Sequence, residues 1–105
     1  MEQFDLVYLT VGDMKEAKKI ATVLVEERLV ACINIFEKIT SIYKWGGELQ
    51  ENGEVAMIAK TTRPNIPSVV ERVKELHSHK TPCIVSAPIT SGNQEYLNWV
   101  YEATV

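Results

Sequence analysis

Apolar positions along the chain change period several times, and each change marks an element. Phe4 to Val11 reads FDLVYLTV, dominated by β-branched and aromatic residues, which predicts a strand covered on both faces. Gly12 ends it. Asp13 with Glu16 three positions later resembles a capping box, and Met14, Ala17, Ile20, Ala21, Leu24 and Val25 follow at helical spacing, predicting a helix to Glu27 or Arg28. Leu29 to Phe36 is apolar apart from Asn34 and predicts a second strand that begins near Ala31. After Glu37 and Lys38, Ile39 to Trp45 alternates as a strand does, and Gly46-Gly47 supplies a turn. Glu48 to Glu51 returns antiparallel, Gly53 marks a bulge or break, and Val55 to Thr62 is a third strand.

Arg63 to Ser68 forms a turn that opens a second helix, with Ile66, Val69, Val70, Val73 and Leu76 on its inward face and its end at His77. Ser78 to Pro82 is a loop and Cys83 to Ile89 a fourth strand. Thr90 to Asn93 then turns into a final helix carrying Tyr96, Leu97, Trp99 and Val100. The order β-α-β-β-α-β-α predicts an α+β fold: a ferredoxin-like sandwich, with an antiparallel sheet and both main helices on one face. No repeat, linker or low-complexity stretch interrupts residues 1–105, which read as one domain.

A four-stranded sheet with helices on one side leaves its other face open, yet several strands here are apolar on both faces. The economical cover is a second copy of the chain, with the long hairpin crossing between subunits as an added edge strand. The alternative is that the final helix folds back over the open face.

Composition narrows the function classes. At 46% hydrophobic and 24% charged, the chain matches an ordinary globular domain and not a disordered one. The net charge of −3 argues against nucleic acid as a partner. No apolar run reaches the roughly 18 to 20 residues of a membrane span, and Met1 to Asp5 lacks the pattern of a leader. Cys32 and Cys83 form no Cys-x-x-Cys pair and read as free thiols, so the expected setting is the cytosol.

The first strand-to-helix loop, Thr10 to Met14, is neither a Walker loop nor a Gly-x-Gly-x-x-Gly turn. It also lacks the Arg of acylphosphatases and the Cys-x-x-Cys of copper chaperones, two uses of the same fold. No carboxylate pair, Ser-His-Asp set or Cys-His spacing stands out, and the expectation is a protein that is not an enzyme.

A few residues remain as binding candidates. His77 and His79 are the only histidines, and His-x-His can place two nitrogens on one metal ion where the backbone is extended. A helix C-terminus also favours a protonated imidazole through its dipole, which needs no metal. Cys83 follows four residues later as a soft candidate ligand, or as a small buried apolar group. Cys32 sits among apolar neighbours. Lys60, between Ala59 and Thr61, either reaches into a cleft to hold an anion or lies solvated at an edge. Tyr43 and Trp45 share one face near the hairpin tip and read as anchors for a neighbouring subunit.

The segments Glu26 to Ile35, Thr40 to Glu48, Lys60-Thr61-Thr62, Leu76-His77, Thr81-Pro82 and Gly92 to Trp99 together resemble the CutA divalent-cation tolerance family, in order and over nearly the whole chain. The resemblance implies a ferredoxin-like subunit in a homotrimer similar to the PII signal-transduction proteins. It also implies a role in tolerance of copper or other divalent metals without secure catalysis, no obligatory cofactor, and copper(II) or another divalent metal ion as the bound partner.

Cys32, the pair Tyr43 and Trp45, Lys60 and His77 match family positions. A competing reading is a PII-like regulatory module that binds a small anion or metabolite in a pocket at the subunit interface, lined by Cys32, Lys60, Tyr43 and Trp45, and a third is a trimeric scaffold that docks a partner protein through its aromatic surface. Ser78, His79 and Cys83 stand where the family has Pro, Tyr and Glu. Leu9 and Leu76 stand where copper-binding relatives have Cys and His. The expected metal set is therefore an altered one: His77, His79 and Cys83.

Overall fold

A computed structural model describes residues 3–105; Met1 and Glu2, with their share of the leader reading, lie outside the described residues. The elements are β1 (Phe4–Val11), α1 (Met14–Glu26), β2 (Cys32–Trp45), β3 (Glu48–Thr62), a 3₁₀ turn (Arg63–Asn65), α2 (Ile66–Leu76), β4 (Ile84–Ile89) and α3 (Gln94–Thr104). The sheet is antiparallel throughout, in the order β2-β3-β1-β4. This is the ferredoxin-like α+β arrangement that the pattern predicts.

One face of the sheet carries the main core. Val7, Leu9 and Val11 of β1 and Val55, Met57 and Ala59 of β3 pack beneath Ala17, Ile20 and Leu24 of α1 and Val69 and Val73 of α2. Helix α1 starts as expected, with Asp13 Oδ1 accepting from the Glu16 backbone N–H at 2.8 Å. It ends slightly early, at Glu26, because Arg28 takes a left-handed φ of 62° that breaks the helical run. The Arg28 guanidinium then reaches the carbonyls of Glu102 at 2.7 Å and Val105 at 3.1 Å. A cation thus satisfies the otherwise orphaned C-terminal carbonyls of α3.

The central hairpin departs from expectation. Its strands are continuous over 14 and 15 residues, and Gly53 makes no break, pairing with Thr40 in regular register. The irregularity lies on the opposite strand, where Glu37 and Lys38 together face the single Val55 and Lys38 adopts a φ of 60°. This bulge shifts the alternation of β2 by one. Tyr43 and Trp45 thereby fall on the same sheet face as Cys32 and Asn34.

Strand β1 covers β3 only from Val55 to Thr62, so the outer half of the hairpin pairs with nothing but itself. It projects as an arm and stretches the subunit to 45 × 25 × 23 Å. The radius of gyration is 14.4 Å, against about 13 Å for a compact chain of this length.

The second face is covered in part. Leu97 and Val100 of α3 form a small core with Phe4 and Ala31, so the final helix does fold back, but over one end alone. Tyr8, Phe36 and Val85 on the rest of that face stay exposed.

Candidate functional site

His77 caps the end of α2 and its side chain is buried. Its Nδ1 accepts the backbone N–H of His79 at 2.9 Å, and its Nε2 lies 2.8 Å from the Thr10 carbonyl. The first bond puts the proton on Nε2, which donates to Thr10, so the ring is the neutral tautomer with both nitrogens engaged. Glu16 of α1 stands 3.7 Å from Nδ1 and is itself held by the Ser78 backbone N–H at 2.7 Å and hydroxyl at 3.0 Å. Burial alone raises the Glu16 carboxyl. The Ser78 bonds and the Gly12 N–H outweigh that and hold it below its ordinary 4.5.

The His79 ring centroid is 5.0 Å from that of His77, and His79 and Cys83 are exposed. A metal could approach these two. Among the described residues, however, no group of three or more His, Cys, Asp or Glu side chains is placed to hold an ion, so His77, His79 and Cys83 do not converge as a three-ligand centre in one subunit. The physical reason is that the only unprotonated nitrogen of His77 already serves the loop backbone. Cys83 also lies just outside β4, which begins at Ile84.

A second cluster lies on the partly open sheet face. Cys32 is directly across the ladder from Lys60, and the Cys32 thiol sits 3.0 Å from the Tyr96 hydroxyl of α3. Burial, the hydrogen bond to Cys32 and its charge together push the Tyr96 hydroxyl up to about 12. Lys60 Nζ donates to Asn34 Oδ1. The ammonium is therefore met by an amide, and no carboxylate lies within ion-pair distance among the described residues. Tyr96 and Asn34 were not among the expected site residues. Asn34 had a legible signal as the one polar residue in the run from Leu29 to Phe36, whereas Tyr96 depends on where α3 docks.

Tyr43 and Trp45 are not part of that cluster within a subunit. They lie roughly 35 Å further along β2 at ~3.3 Å per residue, out on the arm, where the Tyr43 hydroxyl accepts from Asn52 Nδ2 at 2.5 Å. Trp45 is 69% exposed, and on the opposite face of the arm Ile42 and Leu49 are 64% and 71% exposed.

Fold and geometry define a ferredoxin-like subunit with an outgrown central hairpin. A model of the CutA1 divalent ion tolerance protein family matches residues 5–103. The divalent-cation tolerance protein CutA of Thermus thermophilus is 48% identical over 100 residues, covering 95% of this chain and 97% of that protein. A solved Thermus thermophilus structure of that description superposes with a TM-score of 0.94, covering 100% of both chains. The CutA of Archaeoglobus fulgidus is 41% identical over 98 residues, 93% of this chain and 95% of its own. The solved structure of that periplasmic divalent cation tolerance protein gives a TM-score of 0.95 at 39% identity, covering 97% of this chain and 99% of that one.

Mouse protein CutA is 39% identical over 97 residues, 92% of this chain but 55% of its own length, so the chain spans about half of that longer relative. This chain belongs to the CutA1 divalent ion tolerance family. Its bacterial and archaeal relatives are named for tolerance and not for an enzymatic reaction.

Proposed function

We propose that the chain acts as a homotrimer in divalent-cation tolerance, binding copper(II) or another divalent metal ion and catalysing no reaction, with its subunits arranged as in PII proteins. The observation that carries this reading is the arm. A two-stranded ribbon is marginal by itself in water, and this one exposes Trp45 on one face and Ile42 and Leu49 on the other. Neighbouring copies supply the missing cover. Two free cysteines support a cytosolic setting.

His79 and Cys83 are the ligands this reading retains, completed by a group from a neighbouring subunit, while His77 positions the His79 backbone from behind. Native mass spectrometry during titration with copper(II) reads subunit number and metal stoichiometry together. The expected result is a trimer taking up a whole number of ions per subunit, lost in the His79→Ala/Cys83→Ser double variant. A trimer that stays bare at micromolar copper overturns the metal reading.

A second reading rests on Lys60, whose ammonium faces Asn34 and lacks a carboxylate. A small anion from solution, bound where Cys32 and Lys60 meet, would compensate that charge. A thermal-shift screen of carboxylates and phosphates tests it, since a ligand at 100 times its Kd adds about 2.7 kcal/mol. No stabilisation, or equal stabilisation of Lys60→Met, removes the reading.

A further inference from the structure

A large cleft lies away from His77, Cys32 and the arm. It has a volume of about 950 Å³ and runs between α3, the Pro88–Gly92 segment and the 3₁₀ turn, at the end of the sheet where Phe4 pairs with Thr62 and Ile89. Ligand sites occupy roughly 300 to 1,000 Å³ and combine an apolar lining with a few fixed polar groups. This cleft mixes polar and apolar residues in about equal parts, with Gln3, Thr90, Ser91 and Glu102 also on its lining. Phe4, Ile89, Leu97 and Tyr101 supply apolar and aromatic surface, and Arg63, Gln94 and Asn98 supply polarity.

The polar groups narrow the ligand class. Arg63 lines the cleft with three of its five N–H donors engaged: its Nε and Nη2 donate to Asp5 Oδ1 at 3.0 and 2.9 Å, and its Nη1 donates to Gln3 Oε1 at 2.6 Å. Its charge is neutralised by the buried Asp5 carboxylate, so the cleft offers no free cation for a phosphate or carboxylate. On α3, Gln94 Nε2 donates to Asn98 Oδ1 at 2.9 Å. That bond leaves the Gln94 carbonyl as an acceptor and the Asn98 amide as a donor, one helical turn apart.

We propose that this cleft binds an uncharged planar heteroaromatic compound with adjacent donor and acceptor groups, by chemistry a nucleobase or nucleoside, paired to Gln94 and Asn98 beside Tyr101. An adjacent acceptor and donor match the edge of such a ring, and the apolar lining takes its faces. The site is independent of the metal and anion readings above.

The test is a titration of the full chain, isotopically labelled, with adenosine, followed by amide chemical shifts. Adenosine monophosphate and benzyl alcohol serve as charged and apolar controls. The expected result is saturable shifts confined to 88–102, with adenosine bound at least as tightly as the monophosphate and more tightly than benzyl alcohol. Asn98→Ala, an exposed helix position, should weaken adenosine about fivefold, the size of one lost hydrogen bond. Tighter binding of the monophosphate would mean an anion site, and equal binding of benzyl alcohol a merely greasy groove. Absence of shifts at millimolar adenosine would mean that the cleft is closed or filled by another copy. Each of these three results overturns the proposal, as does an unchanged affinity in Asn98→Ala.

Discussion

The end of the sandwich around His77 and the projecting arm are built by opposite rules. Around His77, polar groups from β1, α1 and the following loop satisfy one another: the imidazole serves Thr10 and His79, and Glu16 serves Ser78. On the arm, β2 and β3 satisfy each other's backbone, but the side chains Ile42, Tyr43, Trp45 and Leu49 stay exposed. A region that closes its own contacts contributes to the stability of the subunit. One that leaves apolar groups open contributes to what the subunit joins.

That contrast can be broken at several points. The largest effect is expected from Leu9→Ala, which empties a fully buried site between the sheet and its helices. It should cost about 3 to 4 kcal/mol in urea unfolding, and a loss under ~1 kcal/mol would mean that the core is not packed as described. Next, His77→Ala leaves the Thr10 carbonyl and the His79 N–H without their partner and should cost about 2 to 3 kcal/mol. If instead His77→Ala leaves stability unchanged while lowering copper affinity, His77 is a ligand and not a structural clamp.

A smaller effect concerns pH. The Glu16 carboxyl is held below 4.5 in the folded chain, so its contribution is complete above that value and is lost as pH falls through the lower folded one. Glu16→Gln should remove about 1 kcal/mol at neutral pH and flatten the fall of stability below pH 4.5; an unchanged acid limb would contradict the Ser78 contact. The smallest change in the subunit's own stability is expected for Trp45→Ala, under ~0.5 kcal/mol. The same change should weaken association at least about tenfold, because an exposed Trp seated in a partner is an anchor. Dilution series followed by light scattering would separate the two quantities.

Legibility in the sequence followed the same division. Element order, the Asp13 cap and the inward faces of α1 and α2 could be read because local periodicity and packing agree there. The continuity of the arm could not, since Gly53 suggested a break that the regular Thr40 pairing removes, and the bulge moved to Glu37 and Lys38. Side-chain commitments were also hidden. His77 offers the same ring to a metal or to a backbone amide, and the choice depends on the path of the loop through Ser78 and His79. Lys60 and Cys32 do meet as neighbours across the ladder, while Tyr43 and Trp45 lie far along the arm of the same chain.

In the proposed trimer the arm is the assembly element. Sedimentation velocity of the wild-type chain and of Ile42→Lys/Trp45→Lys, with circular dichroism as a check on folding, tests it most directly. The expected result is a trimer for the wild type and a smaller, still folded species for the variant, since both faces of the arm would then carry charges costly to bury. A monomeric wild type, or a variant that remains trimeric, would contradict it.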